Sequence, residues 1–363
     1  MIGVEVLFWL SLAALAWTHV VYPATAVAAA SLRRRPVRPV DFTPSVAVIV
    51  AAHNEDRVIA RRIENLRGLD YPSDQLELVV TSDASTDGTE EIAAAAGARV
   101  IRNPRGGKVA AQDRAVRETD SEIVTFSDAN AMWAPDALRK LVQPLADPEV
   151  AYVCGQLRLE AADGSNREGL YWRYEMAVRD AESSLGSVTG GNGSIYAVRR
   201  SDYVEVDPRF GHDLSLPYLM VQHGRRAVYM PEALAFEKPT PTNESEYRRK
   251  VRMFEHCWLI VLRGRMFHRL GPLYTLQIVS HRLLRYGSGL LHVVLLATSI
   301  ALVGHGWPYV VVLAAQLLLL AAAAAGVGIA RYYVLVTWAT VVALVNYLRR
   351  GVPATWEAAE GTR

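Results

Sequence analysis

The sequence predicts an α/β fold, a doubly wound sheet domain flanked by transmembrane helices, and three observations predict it. Strand-like and helix-like stretches alternate from residue 45 to residue 127. Polar residues cluster directly after the strand-like runs, where open α/β sheets bind ligands. Charge is nearly absent from both ends of the chain: residues 1–32 hold only Glu5, and residues 270–348 hold only Arg282, Arg285 and Arg331. The stretch between them, 33–269, carries 33 basic and 34 acidic residues, the balance of an ordinary water-facing domain.

Taken in order, residues 1–32 read as a transmembrane helix. A bilayer core takes about 20 apolar helical residues, and residues 4–31 supply them, with a break at Tyr22-Pro23. The basic run Arg33-Arg34-Arg35-Pro36-Val37-Arg38 follows, and nothing basic precedes, which argues against a signal peptide. The positive-inside rule then places residue 33 onward in the cytosol. Residues 40–245 form the expected cytosolic domain. Its strands are 45–52, 76–81, 99–102 and 122–127, and its helices are 56–68, 87–96 (capped by Thr86 or Asp87) and 106–118. Residues 246–270 read as an Arg-rich, Trp-bearing amphipathic helix at the membrane interface. Residues 271–350 read as three further spans, near 283–304, 308–328 and 331–348, and 351–363 as a tail.

Several clusters carry chemistry. Glu55 follows the first strand. Asp83 follows the second, in a Ser/Asp/Thr/Gly turn, where a carboxylate accepts from a base imino group or a ribose hydroxyl; it reads equally as a turn former. Asp128-Ala129-Asn130 ends the fourth strand with two oxygen ligands for a hard divalent cation, or simply ends it. Arg105-Gly106-Gly107-Lys108 opens a helix, and glycines with a helix N-terminus and a lysine suit a phosphate. Gly190-Gly191-Asn192-Gly193-Ser194 makes a wall of small residues, or a plain turn. His212-Asp213 offers a general base, or a helix cap. No GxGxxG follows the first strand, which speaks against a dinucleotide oxidoreductase. A net charge of +2 excludes a strongly basic nucleic-acid binder, and two cysteines, Cys154 and Cys257, exclude a disulfide framework.

Together these residues resemble the inverting family 2 glycosyltransferases, in order and spacing, from about residue 45 to 260. The likeness is nearest to the membrane-embedded branch of cellulose, hyaluronan and poly-N-acetylglucosamine synthases and ceramide glucosyltransferase. The resemblance implies a GT-A-like nucleotide-sugar-binding domain. It implies that Glu55 and Asp83 bind the nucleoside, usually uridine, that Lys108 lies near the diphosphate, and that Asp128 with Asn130 holds Mg²⁺ or Mn²⁺. Asp213 falls at the catalytic base. Arg249 to Met253 fall at a Gln-x-x-Arg-Trp signature, so Arg249 and Arg252 meet the diphosphate and Met253 replaces the ring that contacts the acceptor. Gly191, Asn192, Gly193, Ser194 and His212 fall along the acceptor site.

The implied activity is inverting transfer from a nucleotide-sugar donor to a growing cell-surface or exported polysaccharide. A glycolipid synthase adding one sugar to a lipid is the alternative, and an inactive sugar-nucleotide scaffold the second. The implied setting is the plasma membrane, multi-pass, with membrane lipids and a homo-oligomer or accessory subunit as further partners. Four residues depart from the family pattern: Asn130 where a second Asp is usual, His212 where an acid is usual, and Arg249 and Met253 where Gln and Trp are usual.

Overall fold

The β-branched run Val46–Ala52 becomes β1, buried along its length. It pairs in parallel with β2 (Leu76–Asp83) on one side and β4 (Ile123–Asp128) on the other, and β2 pairs in parallel with β3 (Arg99–Asn103). The chain is known here from a computed structural model that describes residues 1–37, 40–159, 170–239 and 242–355. Arg38 of the basic run and residues 356–363 of the tail lie outside the described residues.

The four parallel strands are the four read from the sequence. The other half of the sheet is mixed rather than doubly wound. Its strands are β5 (Met132–Trp133), β6 (Val150–Leu159), β7 (Tyr196–Arg199) and β8 (Arg226–Glu237). The full order is β3-β2-β1-β4-β7-β6-β8-β5, with β7 antiparallel to both β4 and β6, and β8 parallel to β6. The connection from β1 to β2 and β3 runs one way and β4 lies on the other side of β1, so a topological switch point falls between β1 and β4. Alternate residues of β1 enter different cores. Val46, Val48 and Val50 pack with Ile63, Leu138 and Leu141, and Ala47 and Ile49 pack with Phe126, Tyr196 and Leu216.

Helix boundaries shift by a few residues from expectation, for local reasons. The first helix of the sheet domain begins at Ile59, because Val58 and Ile59 donate their N–H groups back to Glu55 O in a tight turn. The second is Thr89–Ala95, and Asp87 Oδ1 accepts the Thr89 N–H at 3.0 Å. The third, Lys108–Arg117, starts after Gly107, whose φ is +94°.

The chain divides into two compact units, each built from separate stretches: 1–28, 242–262 and 271–352 in one, and 29–241, 263–270 and 353–363 in the other. The first unit contains the apolar helices. Ile2–Leu32, Trp307–Ala324 and Gly328–Arg350 are long and apolar enough to cross a membrane. The first of these carries a widened turn at Trp17–Val21, in which Tyr22 N–H bonds Trp17 O five residues back. That shift absorbs the missing N–H of Pro23 without ending the helix. The expected single span at 283–304 is instead a bent pair, Pro272–Tyr286 and Ser288–Ala301, meeting at 63° across Gly287. The basic helix runs Asn243–Arg263 and ends before residue 270. Its apolar face is covered within the unit: Trp258 Nε1 donates to Thr340 O at 3.0 Å, and Glu255 accepts from Arg350 at 3.0 Å.

In the second unit the segment after helix Gly328–Arg350 runs against the start of helix Lys108–Arg117. A Cβ built on Gly107 would stand 2.2 Å from Ala354 O, so only glycine permits this approach.

Ile49→Ala removes a fully buried side chain from the middle of β1. It is expected to cost about 2–5 kcal/mol, read as a lower thermal or denaturant midpoint of the purified full chain, with the sheet's circular dichroism otherwise unchanged.

Candidate active site

The switch point collects acids at strand ends. Asp83, the last residue of β2, is 4% exposed. Its carboxylate accepts from Gly106 N–H at 2.7 Å, from Gly107 N–H at 3.1 Å and from Arg105 at 2.6 Å. The two glycine N–H groups that the sequence offered to a phosphate are therefore turned onto Asp83. Glu55, just past β1, is buried and donates its N–H to Thr89 Oγ1 at 2.7 Å. His53 Nδ1 lies 2.8 Å from Asp83 O, tying the ends of β1 and β2 together.

Asp128, the last residue of β4, is the centre of the second cluster. It forms an ion pair with Lys108 of the facing helix start. Ser194 Oγ stands 3.1 Å from Asp128 Oδ2 and 2.5 Å from Glu237 Oε1, at the end of β8. A hydroxyl has one hydrogen, so it donates to only one of these carboxylates. Two carboxylates and a hydroxyl thus converge on one point, all hard oxygen donors of the kind Mg²⁺ and Mn²⁺ prefer. Among the described residues no group of three or more His, Cys, Asp or Glu gathers, so a cation here would complete its shell with phosphate oxygens and water. Asn130 sits two residues on, half-buried in the turn before β5.

Beneath these acids lies Arg62, fully buried. Its guanidinium bonds Ser127 Oγ at 2.8 Å and Asn65 Oδ1, and stacks over Trp133 at 5.1 Å. Burial lowers its pKa to about 9, while the charges of Asp128 and Glu237 pull the other way. Sequence reading missed both Arg62 and Glu237. Arg62 was one arginine among several on an amphipathic helix. Glu237 ends a strand interrupted by Pro231, which disguised the strand.

The glycine turn is brought to the same place. A Cβ on Gly193 would stand 3.5 Å from Lys108 Nζ, and one on Gly191 would stand 2.0 Å from the Tyr152 hydroxyl. Asn192 serves the turn itself: its Oδ1 accepts from the Ser194 and Ile195 N–H groups, and its Nδ2 donates to Gly155 O. Gly191 N–H donates to Asp213 O at 2.6 Å, which fixes the start of helix His212–Gln222 against the turn. Asp213 is half-buried in that helix's first turn. The Tyr196 phenol, pushed well above its ordinary pKa chiefly by burial, is also raised by the charges of Asp128 and Asp213.

His212, by contrast, points into the core. It is 4% exposed, with Nδ1 2.8 Å from the Tyr196 hydroxyl and Nε2 3.3 Å from the Tyr203 hydroxyl. Burial, with a smaller contribution from Lys108, lowers its pKa to about 3. Asp113, 3.8 Å away and bonded by the Tyr203 hydroxyl at 2.5 Å, is raised to about 6, again chiefly by burial. A neutral imidazole in a tyrosine cage packs the helix and does not reach an acceptor. Arg249, Arg252 and Met253 belong to the other unit, on helix Asn243–Arg263. There Arg249 pairs with Glu246 at 2.8 Å, burial and Arg249 lower the Arg252 pKa, and Met253 is 38% exposed.

The titration of the buried pair gives a signed expectation. Asp113 has a folded pKa above its ordinary 3.8, so its burial costs stability above pH 6 and costs nothing below pH 4. His212 has a folded pKa below its ordinary 6.5, so it costs stability as pH falls from 6.5 toward 3. Asp113→Asn is expected to raise stability at pH 7.5 by about 1–3 kcal/mol, with the gain vanishing by pH 4. Melting temperatures of both proteins across pH 4–8 would show it, and a gain that grows on acidification would refute it.

Residues 47–206 match the family described as Glycosyl transferase family 2. An N-acetylglucosaminyltransferase of Rhizobium meliloti is 28% identical over 311 residues, covering 75% of this chain and 70% of that protein. A beta-monoglucosyldiacylglycerol synthase of Nostoc is 31% identical over 172 residues, covering 43% of this chain and 36% of that one. Among solved structures, a mannosyltransferase from Pyrobaculum calidifontis, in complex with GDP-Man and Mn²⁺, superposes with a TM-score of 0.75 at 24% identity. It covers 94% of this chain and 99% of that one, and it shows the fold.

Proposed function

From the premise that residues 47–206 are a glycosyl transferase family 2 domain, we propose that this chain is an inverting transferase. It moves a sugar from a nucleotide sugar to an acceptor hydroxyl at a membrane. The observation that carries the reading is the convergence of Lys108, Asp128, Ser194 and Glu237 on one point, with Asp213 held against the adjoining turn.

Asp213 takes the proton of the acceptor hydroxyl, whose oxygen bonds to the anomeric carbon as the bond to the diphosphate oxygen breaks. The configuration inverts and the nucleoside diphosphate leaves. Lys108 turns from Asp128 toward the charge that grows on the leaving group. Asp128, with Glu237, Ser194 and Asn130 nearby, would hold the divalent cation, which when bound neutralises phosphate charge. Asp83 and Glu55 close the nucleoside end. Arg249 and Arg252 are assigned to the diphosphate from the sequence pattern. The donor is taken as a UDP-sugar on the same ground, with the GDP-mannose of the archaeal structure as the competing donor.

The acceptor is read as a growing polysaccharide chain from the order of motifs in the sequence, and the rhizobial relative's name makes N-acetylglucosamine a sugar to test. Transfer of one sugar to a lipid is the second reading. It is favoured by the exposed, flexible Met253 where a polymerising enzyme has a ring, and by the cyanobacterial relative's name. In either case the apolar helices are taken as membrane-embedded with the sheet domain on the cytoplasmic side.

Purified full chain in lipid nanodiscs, given Mn²⁺ or Mg²⁺ and radiolabelled UDP-sugars or GDP-mannose, is expected to make an Asp213-dependent product. Asp213→Asn should lower turnover by about 10²–10⁴-fold with nucleotide affinity by calorimetry nearly unchanged, and chelation should stop transfer. A variant that keeps more than a few per cent of turnover would remove Asp213 as the base. A long water-soluble product supports the polymer reading, and a solvent-extractable one the lipid reading.

A further inference from the structure

The candidate base does not hold its own place, and the reason lies four residues away. In an α-helix each C=O accepts from the N–H four residues on. For Asp213 that residue is Pro217, inside helix His212–Gln222 and without an N–H. The Asp213 carbonyl therefore receives no such bond, and it takes the Gly191 N–H at 2.6 Å instead. No side chain caps the helix at Gly211, so this carbonyl is what links the helix start to the glycine turn. Gly211 also makes room. A Cβ there would stand 2.5 Å from Asp213 Oδ1, so the carboxylate lies folded back over the helix entry.

Gly191 is itself held from the other side. Arg179, on helix Leu170–Leu185, donates from Nη2 to Gly191 O at 3.0 Å, and its guanidinium lies over the Tyr229 ring at 5.6 Å. That helix is pinned to its surroundings. Ser183 Oγ accepts the Tyr229 N–H at 2.9 Å, and Glu182, wholly buried, accepts from the Thr189 N–H at 3.2 Å and from its hydroxyl at 2.8 Å. Against Gly191 stands the Tyr152 hydroxyl, which is buried and has no hydrogen-bond partner among the described residues, so it spaces the turn without bonding it. Burial is the chief cause that pushes the Tyr152 phenol well above its ordinary pKa. The charges of Asp213 and Arg179 act on the same phenol in opposite senses, so both stand near it. Arg179 makes no ion pair among the described residues, so its replacement strands no carboxylate.

We propose that Arg179 and Pro217 are positioning residues for the base: Pro217 frees the Asp213 carbonyl, Gly191 captures it, and Arg179 fixes Gly191, which together aim the Asp213 carboxylate at the acceptor hydroxyl. The inference rests on the reading of Asp213 as the base and adds what sets its direction. Direction matters, because a reacting group misplaced by about 1 Å loses on the order of 10²-fold in rate.

The test uses the full chain in nanodiscs, with whichever of the UDP-sugars or GDP-mannose gives product. Arg179→Gln is too short to reach Gly191 O, and Pro217→Ala gives the Asp213 carbonyl a donor within its own helix. Each is expected to lower kcat about 10–100-fold, with donor KM and nucleotide affinity near wild type. Arg179→Lys, which keeps a donor, should recover most of the loss. Placed in Asp213→Asn, the same two substitutions should cost nothing further, since their effect runs through the base. Wild-type turnover in both variants, or an equal loss in the Asp213→Asn background, would overturn the proposal. Pro217→Ala carries the test should Arg179→Gln not fold. Hydrogen exchange reads the tether without any substrate. Peptides covering residues 190–194 should exchange about fivefold faster in both variants, with melting temperatures within a few degrees of wild type, and unchanged exchange would overturn the tether. Asp213→Asn separates the two layers of inference. If it keeps its turnover, the base reading falls and the proposal with it. If it is inactive beside fully active Arg179→Gln and Pro217→Ala, only the proposal falls.

Discussion

The upper edge of the sheet is organised around one buried charge. Arg62 lies wholly out of solvent, where an unpaired guanidinium would be untenable. It is kept by two hydrogen bonds, by the Trp133 ring, and by the nearby carboxylates of Asp128 and Glu237. The dependence runs both ways. The acids at the ends of β4 and β8 repel one another, and the guanidinium below them offsets that repulsion, just as their charges favour its own charged form. The short strand β5 exists in part to carry Trp133, whose Nε1 donates to Ser194 O at 3.0 Å and so positions the serine between the acids. Lys108 caps the arrangement from the other side.

That arrangement explains why the site was only partly legible. The parallel half of the sheet announces itself, because strands buried on both faces must be continuous apolar runs, and 46–52 and 123–127 are such runs. Asp83, Lys108 and Asp128 follow from being placed where those strands end. The mixed half hides. β6 follows a turn marked only by Asp147-Pro148, β7 has four residues, and β8 carries Pro231 at a register shift relative to β6. With β8 unread, Glu237 had no reason to be noticed. His212 shows the opposite error. Its neighbour in sequence is the candidate base, but successive residues at a helix start point in different directions, and the imidazole turns into the aromatic stack of Phe126, Tyr196 and Tyr203.

The apolar helices teach a related lesson. Hydropathy located them but did not reveal a 63° break at Gly287, nor that the Trp-bearing face of helix Asn243–Arg263 is covered by helix Gly328–Arg350. Both depend on which helix packs on which, and periodicity alone does not carry that information.

The return of the chain to Gly107 has a consequence for biosynthesis. The Ala354 carbonyl fits against this glycine, and that contact belongs to a unit whose other long stretch ends at residue 241. Domains generally fold as their chain emerges, at about 5–20 residues per second. Roughly 110 more residues separate the end of that stretch from the contact, a delay of roughly 5–20 s at such rates. The turn beside Asp83 and Lys108 therefore stands uncovered while the apolar helices are being made, and its last wall arrives only when the final helix has left the ribosome.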